Sequence, residues 1–274
     1  AAALSGFYHG IPVGHVEAGL RTGDLLQPYP EEANRKLTDS LAALYFAPTR
    51  KSRENLLREG VAAGRISVTG NTVVDALFLA KEKIKRLDLR NKRLRSLPPG
   101  RMILITLHRR EIWGPPMEKI FRVLAKLSEE MPDIFFLYPV HDNPRVKEPA
   151  RRIFKGKERV ILVPPLDYSD LLKVMERSYF VVTDSGGIQE EAPSFRKPVL
   201  VLRNRTERPE VLECGCGRLA GTSPVSVYKE IRRLLLDRRL HRSMSLSRNP
   251  FGDGHASERI AGRLRRYFKE NPSR

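Results

Sequence analysis

The sequence predicts an α/β protein built on a parallel, doubly wound sheet. From residue 101 onward, short runs rich in Val, Ile, Leu and Phe alternate with longer amphipathic segments, a pattern typical of βαβ units. One of these runs ends in a Ser-Gly-Gly turn at residues 185–187 that leads into a helix start. With 274 residues, 41% of them hydrophobic, the chain can bury two cores or one large one.

The part before residue 101 carries fewer strand patterns than the rest. Its opening residues are typical of the last turns of a helix. Apolar spacing then predicts a strand at 12–16, a helix at 31–40, a strand at 45–47 and a helix at 49–59 capped by Thr49. After residues 68–71, a charged helix at about 73–87 links this part to the next. About two or three strands are too few for an independent α/β domain, so we expect the first domain to be incomplete.

The second part alternates strictly between strands and helices. The predicted strands are 102–107, 134–138, 160–163, 180–183 and 199–202, and the predicted helices are 117–130, 144–154, 168–177, 187–193 and 225–236. Ligands of parallel sheets collect at the carboxyl ends of the strands. His108 ends the first of these strands, and His141 lies just beyond the second. Both are therefore expected at the same rim as Ser185.

The Ser-Gly-Gly turn predicts a phosphate site. Gly186 and Gly187 have no side chains, so backbone N–H groups can approach an anion at the positive end of a helix. Glu191 follows about one helical turn later, where a carboxylate can accept two hydrogen bonds from a ribose. The alternative is a tight loop without a ligand.

Two carboxylate clusters in the first part suit acid–base chemistry. Glu17 lies at a strand end beside Arg21, and Glu31 and Glu32 follow Pro30. Two carboxylates that face one sugar ring can act as general acid and general base, because one can be held protonated while the other is ionised. The alternatives are a structural pair between Glu17 and Arg21 and a favourable helix N-terminus for Glu31 and Glu32.

Basic side chains follow the later strands. His108 is a candidate donor to a departing phosphate, with Arg109 or Arg110 neutralising its charge. Arg208 adds a planar guanidinium that suits a diphosphate. His141 either joins this site or stabilises its own loop.

Composition excludes several classes of protein. The formal charge of +18 permits nucleic-acid or anionic small-molecule binding, but the basic stretches lack the interleaved aromatics of a single-strand binder. No apolar run of about 18 residues or signal peptide occurs, so we expect a cytoplasmic protein that binds neither membrane nor nucleic acid. Cys214 and Cys216 are too few for a metal set or a disulfide framework and are interpreted as reduced thiols.

Nine motifs in order resemble the non-hydrolysing UDP-N-acetylglucosamine (UDP-GlcNAc) 2-epimerases across nearly the whole chain. They are HVEAGLRTGD, PEEANR, TGNTVVDAL, HRRE, YPVH, TDSGGIQEEAP, KPVLVLR, TERPE and NPFGDGHAS. The resemblance implies a GT-B-like α/β fold, in which two Rossmann-like domains with parallel sheets face a cleft. Residues 1–74 would be the C-terminal part of the first domain. Residues 75–250 would form the UDP-binding domain with its linker helix, and 251–274 a C-terminal helix returning toward the first domain.

The same resemblance implies an isomerase that converts UDP-GlcNAc to UDP-ManNAc and supplies ManNAc for cell-surface polysaccharide. The reaction would be anti elimination of UDP through 2-acetamidoglucal followed by re-addition, with no cofactor and no metal. Glu17 and Glu31 would be the acid–base carboxylates, and His108 would assist UDP departure. The implied UDP-binding residues are His108, Ser185, Gly186, Gly187, Glu191, Arg208, Leu166 and Leu171. Arg109 and His141 match an activating second UDP-GlcNAc site, and a homodimer is expected.

The sequence also departs from the family pattern. A Gly-Thr-Arg-Pro-Glu type loop and a Gly-Asp-Thr segment, whose aspartate belongs to the catalytic set, do not occur in it. From the family pattern we expect roughly a quarter of the protein to be absent from this sequence, so UDP binding without catalysis is one expectation. Leu171 stands where some members carry Phe, and Ile112 replaces a polar residue. The alternatives are a hydrolysing epimerase, a GT-B glycosyltransferase, and a non-catalytic UDP-sugar-binding or nucleic-acid-binding protein.

Overall fold

Two compact units make up the chain, one of residues 1–79 with 250–274 and the other of residues 80–249. The computed structural model describes residues 1–26, 28–84 and 88–272. Every strand pair in both units is parallel, which confirms the predicted α/β class. Residues 85–87 of the predicted linker helix lie outside the described residues.

The first unit has a three-stranded sheet in the order β1-β2-β3. Its elements are α1 (Ala2–Tyr8), β1 (Gly14–Val16), α2 (Glu31–Leu41), β2 (Leu44–Ala47), α3 (Arg50–Arg58), β3 (Ile66–Val68) and α4 (Thr72–Ile84), which continues into the second unit. All four residues of β2 are buried, because its alternating side chains serve two small cores. The predicted cap is confirmed, since Thr49 Oγ1 accepts from Ser52 N at 3.0 Å.

The second unit has a six-stranded sheet in the order β6-β5-β4-β7-β8-β9. Its strands are β4 (Arg101–Thr106), β5 (Ile134–Pro139), β6 (Val160–Val163), β7 (Phe180–Thr183), β8 (Val199–Val201) and β9 (Gly217–Leu219). Its helices are α5 (Pro115–Glu130), α6 (Pro144–Ile153), α7 (Tyr168–Arg177), α8 (Gly186–Glu191), α9 (Glu210–Glu213), α10 (Pro224–Leu236) and α11 (Arg238–Leu246). The chain builds outward from β4 in one direction and from β7 in the other. Such a reversal of strand order opens a crevice at the carboxyl ends of these two strands.

A last helix, α12 (Ala256–Glu270), belongs to the first unit. The Asp75 carboxylate of α4 accepts from Ala256 N at 3.0 Å and from Ser257 N at 2.6 Å, so it caps the first turn of α12. Ile260 packs against β2. Among the described residues, no helix is both long and apolar enough to cross a membrane.

The sequence patterns did not predict several short elements, and some predicted boundaries differ from the observed ones. The predicted strand at 12–16 is only three residues long, and β9 was not predicted because Gly217 and Arg218 interrupt its apolar pattern. The predicted helix at 187–193 begins one residue earlier and continues as a 3₁₀ turn from Ala192 to Phe195. The helices α9 and α11 were also missed, since neither carries a long apolar stripe.

Candidate functional site

A cavity of about 230 Å³ lies at the crevice between β4 and β7. Five residues singled out from the sequence line it, namely His108, His141, Leu166, Leu171 and Ser185. The rest of its wall is mainly apolar and includes Leu107, Pro139, Pro165 and Ile188. Larger cavities of about 560 and 390 Å³ lie elsewhere in this unit, and the described residues that line them include no predicted site residue. The strand-end rule therefore predicted the position of this cavity.

The Ser-Gly-Gly turn forms the start of α8, and its two glycines have different surroundings. Ser185 is the N-cap residue, and its N–H donates to Thr183 Oγ1 at 2.9 Å. A Cβ on buried Gly186 would lie 2.7 Å from Arg208 Nη1. A Cβ on exposed Gly187 would meet only Ser185 Oγ, at 4.0 Å. Packing thus requires glycine at 186, while 187 presents an open backbone at the turn.

Arg208 lies under this turn in a buried cluster of charges. Its Nε donates to Glu190 Oε1 and its Nη1 to Glu207 Oε1, both at 2.6 Å. Glu207 Oε2 accepts from Arg203 Nη1 at 2.6 Å, and Arg109 Nη2 lies 3.8 Å from Glu207 Oε1. Burial alone would raise the pKa of Glu207, but Arg208 and Arg203 outweigh it and hold the pKa at about 2. The carboxylates fix the guanidinium in place directly beneath Gly186.

Asp184, to which the sequence analysis gave no role, holds the loop that carries His108. It is fully buried, and its Oδ2 accepts from His108 N and Arg109 N, both at 2.8 Å. Its Oδ1 lies 3.3 Å from His108 Nδ1. Burial raises the pKa of Asp184, against the opposing effects of His108 and the two backbone N–H groups. The signal in the sequence is a carboxylate directly after a buried strand, a position that is costly without partners.

The rings of His108 and His141 are stacked, with centroids 6.1 Å apart. His141 Nδ1 also accepts from Asn143 N at 3.1 Å, so this residue both stabilises its loop and lines the cavity. Trp113 Nε1 donates to His108 O at 3.0 Å. The two imidazoles therefore share one rim of the cavity.

Glu191 ends α8 and is only 7% exposed. Its Oε1 accepts from Tyr168 OH at 3.2 Å. Burial raises the pKa of Glu191 to about 7, although the hydrogen bond from Tyr168 lowers it somewhat. This carboxyl group is thus poised to change its charge near neutral pH.

The first unit contains the other predicted carboxylates. Glu17 follows β1 in the left-handed region at φ +70°, an uncommon conformation for a non-glycine residue. Its Oε1 accepts from Asn71 Nδ2 at 3.2 Å. The alternative that Glu17 forms a structural pair with Arg21 is wrong, because Arg21 binds Asp39 at 2.5 Å and Glu59 at 2.7 Å. Those two carboxylates reach the guanidinium from α2 and from the C-terminal end of α3.

Burial separates the adjacent pair Glu31 and Glu32, both in the first turn of α2. Glu32 is fully buried and accepts from Thr22 N and Gly23 N, each at 3.1 Å, so it holds the loop after β1. Glu31 is half-buried. Both carboxylates also lie at the N-terminus of α2, where the helix favours negative charge. This position agrees with the alternative, non-catalytic interpretation of the pair. Glu17 and Glu31 belong to the first unit, whereas every predicted UDP-binding residue belongs to the second.

Comparisons with known proteins agree over nearly the whole chain. A family model described as UDP-N-acetylglucosamine 2-epimerase matches residues 1–265. A UDP-N-acetylglucosamine 2-epimerase of Yersinia pestis is 50% identical over 272 residues, which cover 97% of this chain and 72% of that protein. One of Bacillus subtilis is 46% identical, covering 99% of this chain and 71% of the relative.

Solved structures are similar to the same extent. The UDP-GlcNAc 2-epimerase of Neisseria meningitidis, bound to UDP-GlcNAc, has a TM-score of 0.93 at 40% identity. The S. aureus MnaA–UDP structure has a TM-score of 0.92 at 45% identity. Each match covers 97% of this chain and 72% of the other. These similarities confirm the predicted GT-B-like fold class.

Proposed function

The chain belongs to the UDP-N-acetylglucosamine 2-epimerase family, and from this premise we propose that it interconverts UDP-GlcNAc and UDP-ManNAc without net hydrolysis. The observation that carries the proposal is the cavity at the β4/β7 crevice, where His108 and Ser185 face one space. Solved relatives with UDP or UDP-GlcNAc bound support a UDP-sugar as the ligand.

In this proposal the cavity and the turn bind different parts of UDP. The base enters the apolar cavity beside Leu166 and Leu171, whose walls exclude water. The diphosphate lies on the turn from Ser185 to Gly187, over the fixed Arg208 guanidinium. The ribose hydroxyls donate to Glu191. This division suits the surroundings of each group, since the cavity wall is mainly apolar, Gly187 presents an open backbone at the turn, and Glu191 is a buried carboxyl at the end of α8.

The proposed reaction is anti elimination of UDP through 2-acetamidoglucal, followed by re-addition with the proton delivered to the other face of C2. The C2 hydrogen is weakly acidic, so the site must stabilise charge on the sugar and on the leaving diphosphate together. Glu17 and Glu31 exchange the C2 proton, and His108 donates to the departing phosphate. The use of the product in cell-surface polysaccharide, a homodimer, a cytoplasmic location and a second UDP-GlcNAc site with Arg109 and His141 stay predictions.

Incubation with UDP-GlcNAc in D₂O tests the proposal. Without any acceptor, we expect the formation of UDP-ManNAc with deuterium at C2. NMR measures the deuterium, and anion-exchange chromatography measures the product. Glu17→Gln keeps the shape of the side chain but not its charge, so conversion should fall about 100-fold. UDP affinity should stay unchanged, since the proposed UDP contacts lie in the other unit.

Each alternative gives a different result in this experiment. Free ManNAc would indicate a hydrolysing epimerase, and C2 exchange that requires an acceptor would indicate a transferase. UDP binding without any exchange would indicate a non-catalytic UDP-sugar-binding protein. Salt-sensitive DNA binding in the absence of UDP affinity would replace the proposal altogether.

The titration of Glu191 predicts a pH dependence of UDP binding. If the ionised carboxylate receives the ribose hydroxyls, a pKa of about 7 makes UDP affinity about tenfold weaker at pH 6 than at pH 8. Calorimetric titration at both pH values measures it. The phosphates of UDP also titrate in this range, so Glu191→Gln is the control and should remove the extra tenfold change. With 2′-deoxy-UDP, which keeps one of the two hydroxyls, the change should become smaller. An equal pH dependence in Glu191→Gln would disprove the ribose contact.

The raised pKa of Glu191 also affects the stability of the fold, and here the neutral carboxyl is the favoured form. Because the folded-state pKa is raised above the ordinary 4.5, the neutral form favours folding. Its contribution, about 3 kcal/mol, is complete below pH 4.5 and is lost as pH rises through about 7. Unfolding of the ligand-free protein by urea across this range should show the decline in the native chain and a flatter profile in Glu191→Gln.

A further inference from the structure

A pair of thiols lies outside the proposed nucleotide site. Cys214 and Cys216 are the only cysteines of the sequence, and both are free. Their Sγ atoms are 3.0 Å apart. A disulfide bond is about 2.05 Å long, so bond formation needs the sulfurs to approach by only about 1 Å.

The backbone on both sides of the pair is anchored. Cys214 follows α9, and its N–H donates to Glu210 O at 2.9 Å. Cys216 precedes β9, and its carbonyl accepts from Val199 N at 3.0 Å in the sheet. Between them Gly215 adopts φ +78°, a left-handed turn that glycine tolerates without strain. The fold therefore already holds the two side chains on the same side of a tight turn.

The two thiols differ in accessibility and in acidity. Cys214 is half-buried, whereas Cys216 is 1% exposed. The hydrogen bond between the two thiols lowers the pKa of Cys214, and the same contact together with burial raises the pKa of Cys216. Thiolates are the nucleophiles in cysteine oxidation. Cys214 is thus suited to react first with an oxidant. Cys216 is placed to act as the resolving thiol.

We infer that Cys214 and Cys216 form a redox modification site, in which hydrogen peroxide converts the two thiols to an intrachain disulfide. In the first step the Cys214 thiolate attacks peroxide, becomes a sulfenic acid and releases hydroxide, which takes up a proton to give water. In the second step Cys216 sulfur displaces the hydroxyl of the sulfenic acid, forming the S–S bond and a second water. Two thiols are oxidised by two electrons, and one peroxide is reduced. A thiol reductant reverses the change by exchange.

Intact-mass analysis of the whole chain after peroxide treatment tests the inference. We expect a mass decrease of about 2 Da in the monomer, as two hydrogens leave. Iodoacetamide labelling should fall at least about tenfold and return with dithiothreitol. Cys216→Ser is the matched control, because it keeps the size of the side chain but removes the resolving sulfur. In this variant dimedone should trap a sulfenic acid at Cys214, whereas the native chain should give little adduct.

Three results would overturn the inference: an unchanged mass, disulfide-linked dimers on a non-reducing gel, or addition of oxygen to the native chain as its main product. The native chain alone decides among these outcomes, so the test does not depend on the folding of the variant. UDP titration of the same sample checks that the oxidised chain is still folded.

Discussion

Gly186→Ala should weaken UDP binding by about 10- to 100-fold, the loss expected when one or two charge-assisted hydrogen bonds are misplaced. The new Cβ would lie 2.7 Å from Arg208 Nη1, 2.8 Å from its Cζ and 3.0 Å from Glu207 Oε1. Nearby, Arg208 is bound on Nε by Glu190. The guanidinium therefore moves only by breaking buried ion pairs, and the ligand-free protein should lose about 1–3 kcal/mol of stability.

Gly187→Ala is the matched control for this variant. Its Cβ would meet only Ser185 Oγ at 4.0 Å, so no buried charge has to move. Thermal unfolding without ligand should place Gly187→Ala at or above the native stability, since alanine favours a helix by up to about 1 kcal/mol over glycine. Calorimetric titration of both variants with UDP then separates the loss of binding from the loss of stability. Native UDP affinity in Gly186→Ala would show that the Arg208 position is irrelevant to the ligand.

The sheet of the second unit was predictable because its strands are buried on both faces. The segments Ile134–Pro139 and Phe180–Thr183 are apolar almost throughout, and that pattern needs no knowledge of distant residues. The rim position of His108 followed directly, since a residue just after a parallel strand lies at the ligand edge. Local pattern and general topology were sufficient for the cavity.

Partners that are distant along the chain were not predictable in this way. Arg21 has a carboxylate four positions earlier, yet it binds Asp39 and Glu59, which are 18 and 38 positions away. Asp184 receives N–H groups from residues 75 and 76 positions earlier. Such contacts depend on which strands become neighbours, and apolar periodicity does not determine strand order. Glu31 and Glu32 show a related limit, because identical side chains one position apart on a helix differ by about 100° in direction.

Asp184→Asn should lower the rate of epimerisation about 100-fold and weaken UDP binding far less, a loss typical of a buried group that orients a catalytic imidazole. The amide oxygen of asparagine can still accept from His108 N and Arg109 N, so the loop keeps its hydrogen bonds. What is lost is the negative charge 3.3 Å from His108 Nδ1. This prediction rests on the proposed role of His108 in UDP departure, and Asp184 would be a positioning residue for it.

A double-mutant cycle separates this role from a merely structural one. If Asp184 acts through the imidazole, Asp184→Asn should cost little further activity in a His108→Gln background, whereas independent structural damage would multiply the two losses. Asp170→Asn is the matched control. Asp170 is 2% exposed and accepts a backbone N–H group on each oxygen, from Arg90 and Asn91, but it does not line the cavity. Asparagine at 170 loses one of these hydrogen bonds, which makes it the stricter control. Equal losses of turnover in Asp170→Asn and Asp184→Asn would mean that any buried carboxylate of this unit matters equally, and the assigned role would fail.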